Sequence, residues 1–352
     1  MKRLQRVAIP LINLSSHGGV RVIVELANFI SKRGYDATIV IPRGKNSTHF
    51  KLSAEVSIEE VGPYVKWKIP AYALYLATLP FFLRKYDLIL ANFFPTYFPS
   101  ILASLLYRSK IIYFVQGIEM TYSGCRGLFL NLLCRLTYFY KKIIIAANPS
   151  IEEKIKEMNG IGSPKGVNIG LSDVFFEQTL PNKAAKRAFD VIYFLRHESW
   201  KRSDLFYELH SELARLIPSL RILCISQDEK LLEYAASRGL DTCKPADDLE
   251  LISCIDNSKL MLLTSSYEGF GLPPLECMSR GVPAVVFECG GPSVYIINNV
   301  NSVIVSDKTQ AIQSLTFLLQ DSAARNEMAN AAMLTAARFK NSSAFNKLIS
   351  LF

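Results

Sequence analysis

Thr264-Ser265-Ser266-Tyr267-Glu268-Gly269-Phe270-Gly271-Leu272-Pro273-Pro274-Leu275-Glu276 follows an apolar run, 259–263, and leads into an amphipathic segment, 273–280. The pattern predicts a strand, a glycine-bearing loop and a helix with proline in its favoured first turn. Two glycines let the backbone approach a ligand closely, and a helix N-terminus offers N–H groups and a positive dipole end. Glu276 lies near the start of that helix and can point back toward the same ligand, while Glu268 can reach it from the loop. Carboxylates are repelled by phosphate, so these two suit neutral partners such as sugar hydroxyls.

The same strand–helix alternation runs outward in both directions, the mark of parallel α/β units. Towards the N-terminus, strands are expected at 7–14, 37–41, 88–91, 111–115 and 143–146. Val20, Val24, Ala27 and Ile30 recur at helical spacing after the first of them, and Ser150 with Glu153 reads as a capping box. A stretch rich in Gly, Ser and Pro, 160–168, breaks the rhythm, and connection is expected to about 187. It restarts with strands at 189–195, 220–225, 259–263, 283–287 and 302–305 and helices at 229–238 and 273–280. The expected fold class is therefore α/β, with two doubly wound domains, 1–170 and 171–335. A C-terminal helix, 336–352, is expected to return to the first domain.

Composition narrows the function classes. The 352 residues are half apolar, which suits two globular domains. No secretory leader is expected at the N-terminus. The apolar segments 69–83 and 93–107 are short and broken by prolines, whereas a span needs roughly 20 apolar residues. Seven scattered cysteines without C-x-x-C spacing suit a reducing compartment and argue against a zinc ribbon or disulfide scaffold. The net charge of +9 is uneven: residues 1–170 hold 22 Lys and Arg against 10 Asp and Glu, and the remainder 18 against 21. A basic half fits an anionic substrate or membrane, and without a helix-turn-helix or RNA motif it gives no support for nucleic acid.

Further polar residues fall at strand ends. The strand 189–195 runs into Arg196-His197-Glu198-Ser199-Trp200-Lys201-Arg202, whose cations could hold a diphosphate. His17-Gly18-Gly19 lies between the first strand and helix, and Gln116 follows the strand 111–115. Asp247-Asp248 reads as a helix cap, the four histidines show no ligand spacing, and no Asp-x-Asp motif occurs, so no metal is implied.

The nine residues 268–276, E-G-F-G-L-P-P-L-E, resemble the E-x7-E motif of the retaining glycosyltransferases of family four, group 1, which have the GT-B fold of two Rossmann-like domains facing across a cleft. The resemblance implies that Glu268, with Gly269, Phe270, Gly271 and Leu272, holds the donor sugar, and that Glu276 holds the nucleotide ribose. It also implies that Arg196, with Arg202 or Lys201, clamps the donor diphosphate and stabilises charge as the glycosidic bond breaks. Gly18 and Gly19 resemble the glycine loop that approaches donor phosphate. Gly290-Gly291-Pro292 resembles a later family loop without its glutamate, and no role is carried over to it. Where the family often has a histidine, this chain has Gln116, which can hydrogen-bond an acceptor or sugar hydroxyl but cannot act as an acid or base. Residues 113–116 resemble bacterial surface-polysaccharide members.

The expected function is transfer of a hexose or deoxyhexose from a nucleoside-diphosphate sugar to a saccharide or polyprenyl-linked acceptor, without metal or cofactor. The expected place is cytoplasmic, peripheral on the inner face of the membrane, because the basic half interleaves cations with aromatic and aliphatic residues at 64–86 and 126–142. A non-catalytic GT-B-like binding subunit is the alternative, although such a subunit would be expected to lose the glutamates or cations that this chain keeps.

Overall fold

The computed structural model describes residues 5–15, 18–47, 50–63, 68–118, 124–139, 143–159, 164–179 and 187–352. It divides into two compact units. Unit one holds Met1–Gly170 with Asn341–Phe352, and unit two holds Leu171–Lys340.

In unit one the order is β1 (Arg6–Pro10), α1 (Gly18–Ser31), β2 (Asp36–Pro42), β3 (Ser57–Val61), α2 (Lys68–Leu83), β4 (Leu88–Ala91), α3 (Phe94–Tyr107), β5 (Lys110–Val115), α4 (Gly124–Thr137), β6 (Ile143–Ala146), α5 (Pro149–Asn159) and β7 (Lys165–Gly166). The strands form one parallel sheet in the order β3-β2-β1-β4-β5-β6-β7. Two expectations change here. The first strand stops at Pro10, where the ladder with β2 ends, rather than running to residue 14. The capping box at Ser150 is not the helix start: α5 begins at Pro149, and the Asn148 side chain accepts the Ile151 N–H at 2.9 Å. Asparagine caps at least as well as serine, and proline is preorganised for the next position.

Unit two runs α6 (Val174–Glu177), β8 (Phe189–Phe194), α7 (Ser203–Leu216), β9 (Ile222–Ile225), α8 (Glu229–Ser237), β10 (Asp241–Cys243), α9 (Asp248–Asp256), β11 (Ser258–Leu263), α10 (Leu272–Ser279), β12 (Ala284–Phe287), β13 (Val303–Val305), α11 (Lys308–Gln320) and α12 (Ser322–Ala336). Its parallel sheet has the order β10-β9-β8-β11-β12-β13. Apolar strands covered on both faces build the core, with Tyr193 of β8 stacked on Phe206 of α7 at 3.8 Å between ring centroids. The connection expected to be irregular carries α6, which is anchored by Arg280. That guanidinium, 1% exposed, makes a two-armed contact with Asp256 at 2.9 and 2.7 Å and donates to the carbonyls of Phe175, Gln178 and Thr179.

The chain then returns to unit one through α13 (Asn341–Ile349), whose Phe345 and Leu348 are buried and whose Phe345 meets Phe29 of α1 edge to face. Asn341 Oδ1 accepts the Gly170 N–H at 3.0 Å, and its amide also bonds Glu25.

Candidate functional site

In each sheet the chain winds outward from its first strand and then crosses back to the other side. The crossing leaves a switch point between β1 and β4 in unit one, and between β8 and β11 in unit two. Ligands of open parallel sheets bind outside the carboxyl ends of the strands at such points. The loops carrying Arg196–Arg202 and Thr264–Gly271 leave the carboxyl ends of β8 and β11, which pair directly.

These loops are tied together through Thr264. Its hydroxyl bonds Tyr193 Oη at 2.7 Å and donates to the Lys201 carbonyl at 2.7 Å, and the Ser266 N–H donates to the Trp200 carbonyl at 2.8 Å. The result places Lys201 Nζ 2.7 Å from Glu268 Oε1, and Ser265 Oγ donates to the same oxygen at 2.7 Å. The Glu268 side chain is 10% exposed and that of Lys201 24%, so the pair sits in a partly desolvated recess where charge acts more strongly than in water.

The cations after β8 separate into different roles. Arg202 adopts left-handed backbone, φ 51°, which costs a non-glycine residue about 1–2 kcal/mol. Its Nε donates to the Thr264 carbonyl at 2.6 Å and its guanidinium lies 4.8 Å from the Phe287 ring centroid, contacts that offset the strain. Lys201 is therefore the cation that meets Glu268. Arg196 is half-buried at the end of β8, and Ser203 Oγ fixes its backbone by donating to its carbonyl at 3.0 Å. Beside it, His197 Nε2 contacts Asp228 Oδ2 at 2.8 Å, and that hydrogen bond holds the Asp228 carboxyl below its ordinary range.

Gly271 caps α10 in the left-handed region, φ 77°. Two of the first four residues of that helix are prolines, so this turn has fewer backbone donors to satisfy. Glu276 follows on the second turn, 4% exposed. Asp247 accepts the Leu249 and Glu250 N–H groups and caps α9, as its sequence suggests.

A second loop supports the first and was not assigned from sequence. The Glu268 N–H donates to the Cys289 carbonyl at 2.9 Å, and the Gly291 N–H donates to the Glu268 carbonyl at 3.0 Å. A Cβ on Gly291 would stand 2.7 Å from both the Glu268 oxygen and the Phe270 nitrogen. Tyr295 Oη donates to the Gly271 carbonyl, and burial pushes the Tyr295 hydroxyl well above its ordinary pKa. Burial, with Glu268 nearby, pushes the Cys289 thiol up to about 12. The Gly-Gly-Pro tripeptide was visible in the sequence, but its packing partner was not.

In unit one, Gly18 and Gly19 open α1, and Gln116 Oε1 lies 3.4 Å from where a Cβ on Gly19 would stand. Asn92, after β4, donates to the Pro10 carbonyl at 3.1 Å. The structure thus brings Gly19 and Gln116 together beside the first switch point. His17 lies outside the described residues. Among the described residues no group of three or more His, Cys, Asp or Glu side chains is arranged to hold a metal ion.

Two doubly wound units, each with polar loops at the carboxyl edge of a parallel sheet, define a two-domain α/β protein of the nucleotide-binding kind. Residues 176–334 match the profile "Glycosyl transferases group 1", and residues 16–167 match "Glycosyltransferase Family 4". The chain belongs to this glycosyltransferase family, and its fold is GT-B. Sucrose-phosphate synthase from Thermosynechococcus elongatus superposes with a TM-score of 0.81 at 13% identity, covering 99% of this chain and 98% of that one. HepE of Anabaena, solved with UDP and glucose, gives 0.75 at 17% identity over 99% of both chains. WaaG, a glycosyltransferase involved in lipopolysaccharide biosynthesis, gives 0.75 at 15% identity over 98% of this chain and 99% of that one. D-inositol 3-phosphate glycosyltransferase of Corynebacterium urealyticum is 28% identical over 127 residues, 36% of this chain; the match spans 30% of that relative's length.

Proposed function

We propose that this chain transfers a hexose or deoxyhexose from a nucleoside-diphosphate sugar to a saccharide or lipid-linked acceptor, with retention of configuration, in the making of a cell-surface polysaccharide. The observation that carries the reading is the Lys201–Glu268–Ser265 cluster at the switch point between β8 and β11. A carboxylate there can accept hydrogen bonds from sugar hydroxyls, and cations beside it can take up the charge that a departing diphosphate gains. The UDP and glucose bound to HepE and the involvement of WaaG in lipopolysaccharide biosynthesis support this reading.

In this reading unit two holds the donor. Glu268 and the amides of Gly269, Phe270, Gly271 and Leu272 meet the sugar, Glu276 the ribose, and Arg196, Lys201 and Arg202 the diphosphate. Unit one offers the acceptor side, with Gly18 and Gly19 toward phosphate and Gln116 toward a hydroxyl. Arg196 and Lys201 stabilise the leaving diphosphate in place of a metal, and a donor phosphate oxygen takes the acceptor proton on the face of attack. The enzyme works in the cytoplasm, attached peripherally to an anionic membrane that carries its lipid-linked acceptor.

A thermal-shift screen with UDP, GDP and dTDP tests the donor assignment, followed by sugar-release assays with the sugars of the protecting nucleotide. Protection by one nucleotide and release of its sugar are expected. Indifference to all three would remove the donor reading.

A further inference from the structure

The three helices that follow β3, β4 and β5 form a continuous layer: α2 packs on α3, and α3 on α4. Right-handed crossovers put this layer on one face of the sheet, opposite α1 and its partner α13. Every exposed large apolar side chain among the described residues of unit one lies on these helices or just beyond α4. Phe81, Leu105, Leu128 and Phe129 are 60–72% exposed. Scattered exposed leucines need no explanation, whereas a contiguous apolar layer does.

The middle helix is apolar on both sides. Its buried side carries Phe94, Tyr97 and Ala103 together with Thr96, Ser100 and Ser104, whose hydroxyls donate to the carbonyls of Phe93, Thr96 and Ser109 at 2.8, 2.7 and 2.6 Å. Its outer side presents Phe98, Leu102, Leu105 and Leu106. A helix on a water-facing surface puts its polar residues outward; this one presents apolar residues outward as well as inward, as suits an apolar medium outside. Among the described residues no helix is long and apolar enough to cross a membrane, so the layer can lie on a bilayer but not span it.

Charge selects the kind of surface. None of the three helices contains Asp or Glu. Arg84, Arg108 and Arg135 are exposed at or next to their C-terminal ends. Of the carboxylates close to these helices in sequence, Glu59 pairs with Lys85 at 2.7 Å, Glu60 accepts the Gly44 N–H at 3.1 Å and Asp87 accepts the Arg6 backbone N–H at 2.8 Å, while Glu119 lies outside the described residues. A two-fold dimer through this face would set a cation-rimmed patch against its own copy. An anionic headgroup layer over hydrocarbon complements both its features.

We infer that the outer face of α2, α3 and α4 is a docking surface for an anionic lipid bilayer. The inference gives the peripheral attachment proposed above its surface and orientation, and it rests on that reading only for the location, not for the chemistry. Co-sedimentation of the full chain with vesicles of phosphatidylcholine, with and without phosphatidylglycerol, tests it. Binding to the anionic vesicles at low salt is expected to be roughly 100-fold tighter than to the neutral ones, since three cations near such a surface contribute about fivefold each. Leu105→Asp/Leu128→Asp, both at exposed positions, is expected to weaken binding by roughly 10-fold or more through lost apolar contact. Nucleotide protection from heat, read in the same variant, reports that the fold and donor site persist. Equal recovery in the supernatant with both vesicles, or unchanged binding of the variant, would overturn the inference. So would a wild-type dimer that the variant dissolves without any vesicle binding. Vesicle binding without sugar transfer would instead defeat the functional reading and leave the surface standing.

Discussion

Lys201 and Glu268 are joined across the switch point: a cation from the loop after β8 lies 2.7 Å from a carboxylate of the loop after β11, and Ser265 donates to the same oxygen. Transition-state charge contacts of this kind are worth roughly 10²–10³ in turnover. Glu268→Gln and Lys201→Met are each expected to lower kcat within that range, measured as release of nucleoside diphosphate. Glu276→Ala should act differently, raising the donor Kd while leaving saturated turnover closer to normal. Wild-type turnover in both Glu268→Gln and Lys201→Met would exclude the pair from the reaction.

Gly291 supports that pair through the backbone. Because an added Cβ would meet the Glu268 oxygen and the Phe270 nitrogen at 2.7 Å, Gly291→Ala must push the glutamate's loop outward. The loss of donor affinity is expected to be about 10-fold or more, since displacements near 1 Å cost as much or more. Gly239→Ala, which meets nothing within 4 Å although its φ is 77°, is the control for backbone conformation. Isothermal titration with the protecting nucleotide separates the two.

Arg280 carries structure rather than chemistry. All its N–H groups are engaged while its side chain is 1% exposed, so Arg280→Met leaves Asp256 and three carbonyls without their donor. Breaking one partner of a buried pair costs about 3–5 kcal/mol. The urea midpoint of unit two should fall accordingly, with nucleotide affinity little changed in the fraction still folded.

A pH effect on stability follows from His210, which lies against Phe206 and whose pKa burial lowers below its ordinary value. The folded state then binds fewer protons than the unfolded one below pH about 6.5. Stability is full above that value and declines as pH falls through it toward the lowered folded pKa. His210→Gln should flatten this acid limb in melting curves taken between pH 5 and pH 7.5; an unchanged limb would assign it to other groups.

Chelation tests the diphosphate assignment. If Arg196 and Lys201 neutralise the leaving group, transfer in EDTA should stay within about 2-fold of the untreated rate, far below the loss seen when a needed charge contact is removed. Loss restored by Mg²⁺ or Mn²⁺ would show that a metal does this work.

The sequence revealed most clearly what depends on neighbours along the chain. Apolar strands such as 259–263 and 284–287 stand out because both faces of a parallel sheet are covered, and residues 264–276 read correctly as loop and helix. The edge strands Ser57–Val61 and Asp241–Cys243 escaped because half-exposed edges tolerate polar residues. The box at Ser150 and Glu153 masks the true cap, Asn148, which only the bonded Ile151 N–H reveals. Long-range support was illegible for a different reason: no local rule connects Gly291 to Glu268 or Tyr295 to Gly271, each 20 or more residues earlier. That Lys201 pairs with Glu268 while Arg202 Nε turns to the Thr264 carbonyl is likewise not legible along the chain.

Unit two is an insertion within unit one, since residues 341–352 complete the earlier unit. Domains on a nascent chain generally fold in the order they are made. Here that order is inverted. All of unit two is present once Lys340 is made, whereas α1 lacks Phe345 and Leu348, and Gly170 lacks the Asn341 acceptor, until translation has passed those residues. The part of the protein synthesised first therefore completes its packing only after all of the second unit has been made.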